Sequence, residues 1–149
     1  MAHNRKRYIA HILSEALSFS PLVGIMGHRQ VGKTTLLESV AKQYYTLDRQ
    51  LDFDIIQSDP ETFLSQSRSR CGLDEVQMMP SLFPALKEQV RKNKTPGQFL
   101  LSGSVRFTSR KAIQESLTGC IIYLELLPLS ISELNIIPAD LRWIRFCQS

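Results

Sequence analysis

Gly27-His28-Arg29-Gln30-Val31-Gly32-Lys33-Thr34 is the stretch whose reading decides the fold. It has the form G-x-x-x-x-G-K-T, and its flanks give the pattern meaning. Upstream, residues 21–26 (PLVGIM) are a short apolar run bounded by Pro and Gly, which predicts a buried strand. Downstream, residues 33–43 (KTTLLESVAKQ) carry Leu36, Leu37 and Val40 on one side, which predicts a helix. A strand, a glycine-bearing loop over 27–32 and a helix, in that order, are the context a phosphate-binding loop requires.

The chemistry follows from the residue types. Gly27 and Gly32 permit tight, left-handed turns and let backbone approach a ligand. Loop amides and the helix N-terminus aim donors at phosphate oxygens. Gly27, His28, Arg29, Gln30, Val31, Gly32, Lys33, Thr34 and Thr35 are therefore the candidate ligands of a nucleoside triphosphate. Lys33 is suited to neutralise the β- and γ-phosphates, Thr34 to give a hydroxyl to Mg²⁺, and Thr35 to reach a more proximal phosphate. Hydrolysis also needs an acid that orients the metal and a base that activates water. Asp74 and Glu75, just after a candidate strand, suit those roles: Asp74 for Mg²⁺ and its waters, Glu75 as general base. Ser102, at the end of another strand, is placed to hydrogen-bond the γ-phosphate or the attacking water.

Around this centre the chain alternates. Helices are expected over 5–17, 61–66, 80–92, 109–117 and 130–134, and strands over 44–47, 72–76, 98–103 and 121–126. Asp59 and Pro60 form a helix-start signal, and Leu82, Phe83, Leu86 and Val90 share one helix face. Residues 67–70 read as a polar, basic loop, and the strand over 72–76 is thin in apolar residues. Alternation predicts an α/β fold: a mainly parallel five-stranded P-loop NTPase sheet, helices on both faces, ligand loops at the strands' carboxyl ends. The expected organisation is an N-terminal helix over 1–20, the P-loop domain over 21–134 and a short tail over 135–149, where Trp143, Ile144 and Phe146 could still cover the core.

Composition is consistent with one globular core: 149 residues, 43% hydrophobic, net charge +4. Basic residues cluster at Arg5–Arg7, Arg68–Arg70, Arg91–Lys94 and Arg106–Lys111, which read first as solvated loops and helix ends. Cys71, Cys120 and Cys147 are odd in number and widely spaced, and with His3, His11 and His28 they make no disulfide frame or metal-ligand spacing. No segment has the length and apolarity of a membrane span, and the N-terminus makes a poor signal peptide, so a cytoplasmic location is expected.

Further blocks converge on a family. GHRQVGKTTLL at Gly27–Leu37, YTLD at Tyr45–Asp48, DPETFL at Asp59–Leu64, LDEVQ at Leu73–Gln77, LFPALKEQV at Leu82–Val90, GQFLLSGS at Gly97–Ser104, ESLTG at Glu115–Gly119 and LELLPLSISE at Leu124–Glu133 occur in the order seen in a prokaryotic AAA-like ATPase family, which the chain resembles from about Pro21 to Leu134. The resemblance implies an ATPase core with additional-strand topology, ATP as the nucleotide, Asp74 and Glu75 as the Walker B pair and Ser102 as the sensor-like polar residue. Because AAA-like proteins often complete a site across an interface, it also implies a homo-oligomer or a partner protein.

There are departures. Residues 67–72 (SRSRCG) stand where the family has an apolar strand, and a polar, basic strand at the sheet centre would be poorly buried. Cys120 stands where the family often has Arg after the ESL-x-G segment; if that Arg senses the γ-phosphate, in cis or across an interface, its loss slows hydrolysis, by a factor of roughly 10³–10⁵ for arginine fingers elsewhere. The family's further C-terminal domains have no counterpart in these 149 residues, and 135–149 no longer resembles it. An Mg-dependent ATPase is the leading expectation. A truncated or degraded nucleotide-binding module with little turnover is the alternative, and a DNA-associated regulator has only the basic charge behind it.

Overall fold

A computed structural model describes residues 8–104 and 117–128. The elements, in chain order, are α1 (Ile9–Phe19), β1 (Leu22–Met26), α2 (Lys33–Val40), β2 (Gln43–Thr46), α3 (Gln50–Ser58), α4 (Pro60–Gln66), β3 (Cys71–Asp74), a 3₁₀ turn (Val76–Met78), α5 (Leu82–Lys92), β4 (Phe99–Gly103) and β5 (Ile122–Glu125). The strands form one sheet in the order β2-β3-β4-β1-β5, and each neighbouring pair is parallel. The expected five-stranded parallel α/β fold is therefore what the chain adopts.

Residues alternate between two cores because side chains alternate along a strand. On β1 and β4, Leu22, Met26, Phe99 and Leu101 enter one core with α3, α4 and α5, represented by Ile56, Leu64, Leu82, Phe83, Leu86 and Val90. Val23, Ile25 and Leu100 enter the other with Leu13, Ala16 and Leu17 of α1 and Leu36 and Leu37 of α2. β1, β3 and β4 are buried at every residue, as a parallel sheet covered on both faces demands.

Two sequence expectations change. First, the strand leading to Asp74 is neither polar nor poorly buried: it begins at Cys71, after the basic loop, and all four residues are buried. Its middle residue, Gly72, is small because α2 passes over it; a Cβ there would lie 2.8 Å from Ala41 Cβ and 3.2 Å from Leu37 Cγ. The thin apolar content reflects close helix-on-strand packing. Val76 lies past the strand, in the 3₁₀ turn. Second, α3 has no counterpart in the sequence expectations. Leu51, Phe53 and Ile55 alternate as in a strand, yet Leu51 and Ile55 face solvent while Ile56 and Phe53 pack inward. Asp52 fixes the start of this helix by accepting from Thr46 N at 2.9 Å and from Arg49 Nη2 at 2.6 Å.

Asp59 caps α4 by accepting from Thr62 N at 3.1 Å, with Pro60 in the first turn, as expected. The expected helices over 109–117 and 130–134 and the tail over 135–149 lie outside the described residues, except for Leu117, which is buried in the core.

Candidate functional site

The carboxyl ends of β1, β3 and β4 converge on one spot. β1 ends at Met26 and turns into the loop 27–32, which enters α2 at Lys33. Gln30 (φ 62°) and Gly32 (φ 96°) adopt left-handed backbone. Gly32 meets the expected conformational need. The need at Gly27 is instead steric: a Cβ would sit 2.5 Å from the Leu126 carbonyl oxygen, where the end of β5 is tied to β1 by Leu126 N donating to Met26 O at 2.7 Å. Val31 anchors the loop by burying its side chain in the α1–α2 core. His28, Arg29 and Gln30 are exposed on the loop, and Thr34 and Thr35 are exposed in the first turn of α2.

Lys33 is buried and curls back over the loop, its Nζ donating to the carbonyls of Gly27 (2.9 Å) and His28 (2.6 Å). The ammonium is thus held at the loop mouth, where an anionic oxygen could replace those carbonyls. Thr34 Oγ1 donates to Asp74 Oδ2 at 2.6 Å. Tyr44 OH donates to the same oxygen at 2.9 Å. Asp74 Oδ1 accepts from Ser102 Oγ and from Glu75 N at 3.0 Å. Asp74 is 1% exposed, so these four donors replace water around a buried carboxylate. Register explains the meeting: Leu73 is opposite Leu101, which puts Asp74 and Ser102 one step further along adjacent strands.

Burial, reinforced by the Asp74 charge and the hydrogen bond to it, pushes the Tyr44 phenol well above its ordinary pKa, keeping it a donor. Glu75 takes left-handed backbone (φ 55°, ψ 41°), and Gln77 Nε2 donates to its Oε2. Gln77 Oε1 is buried with no partner among the described residues.

The structure thus brings Lys33, Thr34, Asp74 and Ser102 together and leaves the Glu75 carboxylate engaged by Gln77. Sequence reading missed Tyr44 and Gln77. Gln77 lay within the LDEVQ block, and Tyr44 immediately before YTLD, but neither had a signal of its own. The hydroxyl of Thr34 and the carboxylate of Asp74 are hard oxygens within hydrogen-bond distance of each other, a donor set that suits Mg²⁺, which keeps several waters and takes few protein ligands.

Position 120 is elsewhere. Cys120 lies at the start of β5 and lines a cavity of about 570 Å³ with Ser20, Pro21 and Ile122, at the end of the sheet opposite the loop. At about 3.3 Å per residue, the path from Pro21 to Met26 covers about 16 Å. Cys120 thus stands beside the amino ends of the strands and the loop 27–32 at their carboxyl ends. Of the basic runs, Arg91 pairs with Glu88 at 2.8 Å and Arg70 donates to Gly97 O at 3.4 Å, while 5–7 and 106–111 lie outside the described residues. No helix among the described residues is long and apolar enough to cross a membrane.

A glycine-bearing loop at the end of β1 and a buried acid on β3, with β4 between those strands, are the arrangement expected of a nucleotide-binding, ATPase-like module. A family model described as an AAA domain matches residues 20–135, and the chain belongs to that family. The uncharacterized protein Rv2008c of Mycobacterium tuberculosis and the uncharacterized protein Mb2031c of Mycobacterium bovis are each 34% identical to it over 143 residues. That match covers 94% of this chain and 32% of each relative, so the chain spans about a third of their length. Among solved structures, the cytoplasmic domain of EssC is similar with a TM-score of 0.46 at 14% identity, over 82% of this chain and 34% of that one. That likeness is too distant to bear on the site.

Proposed function

We propose that the chain binds ATP with Mg²⁺ at the loop 27–35 and hydrolyses it to ADP and phosphate. The observation that carries this reading is the junction behind the loop, where Thr34 and Ser102 both donate to Asp74, with the Lys33 ammonium held on the carbonyls of the loop itself. In this reading Lys33 exchanges the carbonyls of Gly27 and His28 for phosphate oxygens, and the loop amides and α2 N-terminus supply further donors. Thr34, through its hydroxyl, and Asp74, through its carboxylate, would hold the metal. Bound Mg²⁺ would neutralise charge on the phosphates. Ser102 orients the terminal phosphate or the water that attacks it, and Glu75 accepts that water's proton. The setting is cytoplasmic, in keeping with the unpaired thiols of Cys71 and Cys120.

The second reading, a nucleotide-binding module with little turnover, is favoured by the contact between Gln77 and Glu75, which occupies the proposed base. One experiment separates the two: fluorescent ATP-analogue binding with Mg²⁺, alongside phosphate release, for the natural chain, Lys33→Ala, Glu75→Gln and Gln77→Ala. Binding and turnover by the natural chain, both lost in Lys33→Ala, with binding alone kept in Glu75→Gln, support the ATPase. Binding without turnover, with phosphate release appearing in Gln77→Ala, supports the restrained module. No binding by the natural chain refutes both.

A further inference from the structure

We propose that Tyr44 is a positioning residue of this site: from the outermost strand, its phenol helps to fix the Asp74 carboxylate through Oδ2. This rests on the Mg-nucleotide reading above and adds a residue that the P-loop and acid motifs do not contain.

The geometry begins with register. β2 is the edge of the sheet, and Tyr44 lies opposite Gly72 on β3. Gly72 and Asp74 are two residues apart on one strand and so share a face. That is the face covered by α2, and Tyr44 packs against the same core. Because Gly72 has no side chain, nothing of that residue stands between the Tyr44 ring and Asp74, and the phenol reaches Oδ2 at 2.9 Å. The contact is a diagonal one across adjacent strands.

The consequence follows from counting donors. An ionised carboxylate has about four lone-pair directions. Here Oδ1 takes Ser102 and the Glu75 amide, and Oδ2 takes Thr34 and Tyr44. The Thr34 hydroxyl can keep its proton on Oδ2 while one of its oxygen lone pairs serves the metal, so Tyr44 is the donor on Oδ2 that does not come from the loop. Without it, Oδ2 keeps only the hydrogen bond from Thr34, whose oxygen is shared with the metal, and the carboxylate is less firmly oriented. The phenol therefore acts through Asp74.

The test uses the full chain and Tyr44→Phe, which keeps the ring and removes the hydroxyl. Binding of a fluorescent ADP analogue is measured in EDTA and then across a Mg²⁺ titration. The expected result is unchanged affinity in EDTA, within about twofold, with the Mg²⁺ concentration for half-maximal enhancement raised roughly five- to tenfold, as for loss of one ordinary hydrogen bond. Superimposable Mg²⁺ curves would overturn the proposal, as would equal weakening with and without metal, which marks a packing role. If the natural chain itself shows no Mg²⁺-dependent binding, the nucleotide reading fails first and this one with it. A double-mutant cycle on melting temperature with Asp74→Asn gives a readout free of ligand. The phenol's effect should shrink when the charge is gone, and an equal loss in both backgrounds counts against the contact.

Discussion

Thr34, in the first turn of α2, donates its hydroxyl to Asp74 at the end of β3 over 2.6 Å, although the two are 40 residues apart in the chain. The bond joins the loop-bearing helix to the acid strand, with β4 intervening between the strands they serve. Asp74→Ala should therefore affect both fold and ligand. It strips the acceptor from Ser102, which is fully buried, and from the half-buried Tyr44. An unsatisfied buried donor costs about 1–3 kcal/mol, so a loss of about 2–4 kcal/mol in denaturant unfolding is expected. Serine left buried without a partner is the main cause, so Asp74→Ala with Ser102→Ala should recover part of that loss; no recovery would contradict the bonding described.

Gly27 gives a second expectation. The Leu126 carbonyl lies 2.5 Å from where its Cβ would be, and that carbonyl belongs to backbone that cannot rotate away. Gly27→Ala should lower stability by about 1–3 kcal/mol, as overpacking does, and should weaken nucleotide-analogue binding by moving the first residue of the loop. Gly119→Ala is a useful comparison, because space around Gly119 is open and only its φ of 79° opposes the change. Thermal unfolding and analogue binding of the two variants would separate a steric demand at the loop from backbone strain remote from it.

How much of this was legible beforehand depends on the range of each interaction. The loop, its strand and its helix are local in sequence, so Gly27–Thr34 could be read directly. Asp74 and Ser102 stood out as polar residues at strand ends. Tyr44 and Gln77 did not, because what makes them matter is register between strands or one contact around a turn, and neither leaves a periodic trace. α3 was hidden by the strand-like alternation of Leu51, Phe53 and Ile55. The strand before Asp74 looked deficient because hydrophobicity was taken as the measure of burial, whereas Gly72 is buried through the closeness of a helix.

That last point is testable by restoring volume. Gly72→Ala places a Cβ 2.8 Å from Ala41 Cβ, at the C-terminal end of α2. A loss of about 1–3 kcal/mol is expected. Ala41→Gly removes the opposing atom, and the double variant should regain part of the difference. Additive losses in chemical denaturation would show that α2 and β3 do not meet there.

Cys71 supplies a dependence on pH. It is fully buried, and desolvation pushes its thiol from 9.0 up to about 12. A raised folded-state pKa means that both states hold the proton below about 9, so no stability is lost there. As pH rises from about 9 toward 12 the unfolded chain releases the proton first, and folding weakens. At pH 11 the contribution of this one thiol is a loss of about 2–3 kcal/mol, two units at about 1.4 kcal/mol each. Tyr44, also raised, pulls in the same direction above its ordinary value of 10.0. In the natural chain this linkage should leave the unfolding free energy nearly level between pH 7.5 and 9 and lower it by pH 10.5. Cys71→Ala starts lower because of the cavity it leaves, but its decline from pH 9 upward should be shallower. Native-state labelling gives the matching kinetic result: at pH 8 a thiol reagent should modify the half-buried Cys120 well before Cys71, since the reactive thiolate of Cys71 is suppressed and its sulfur is out of reach.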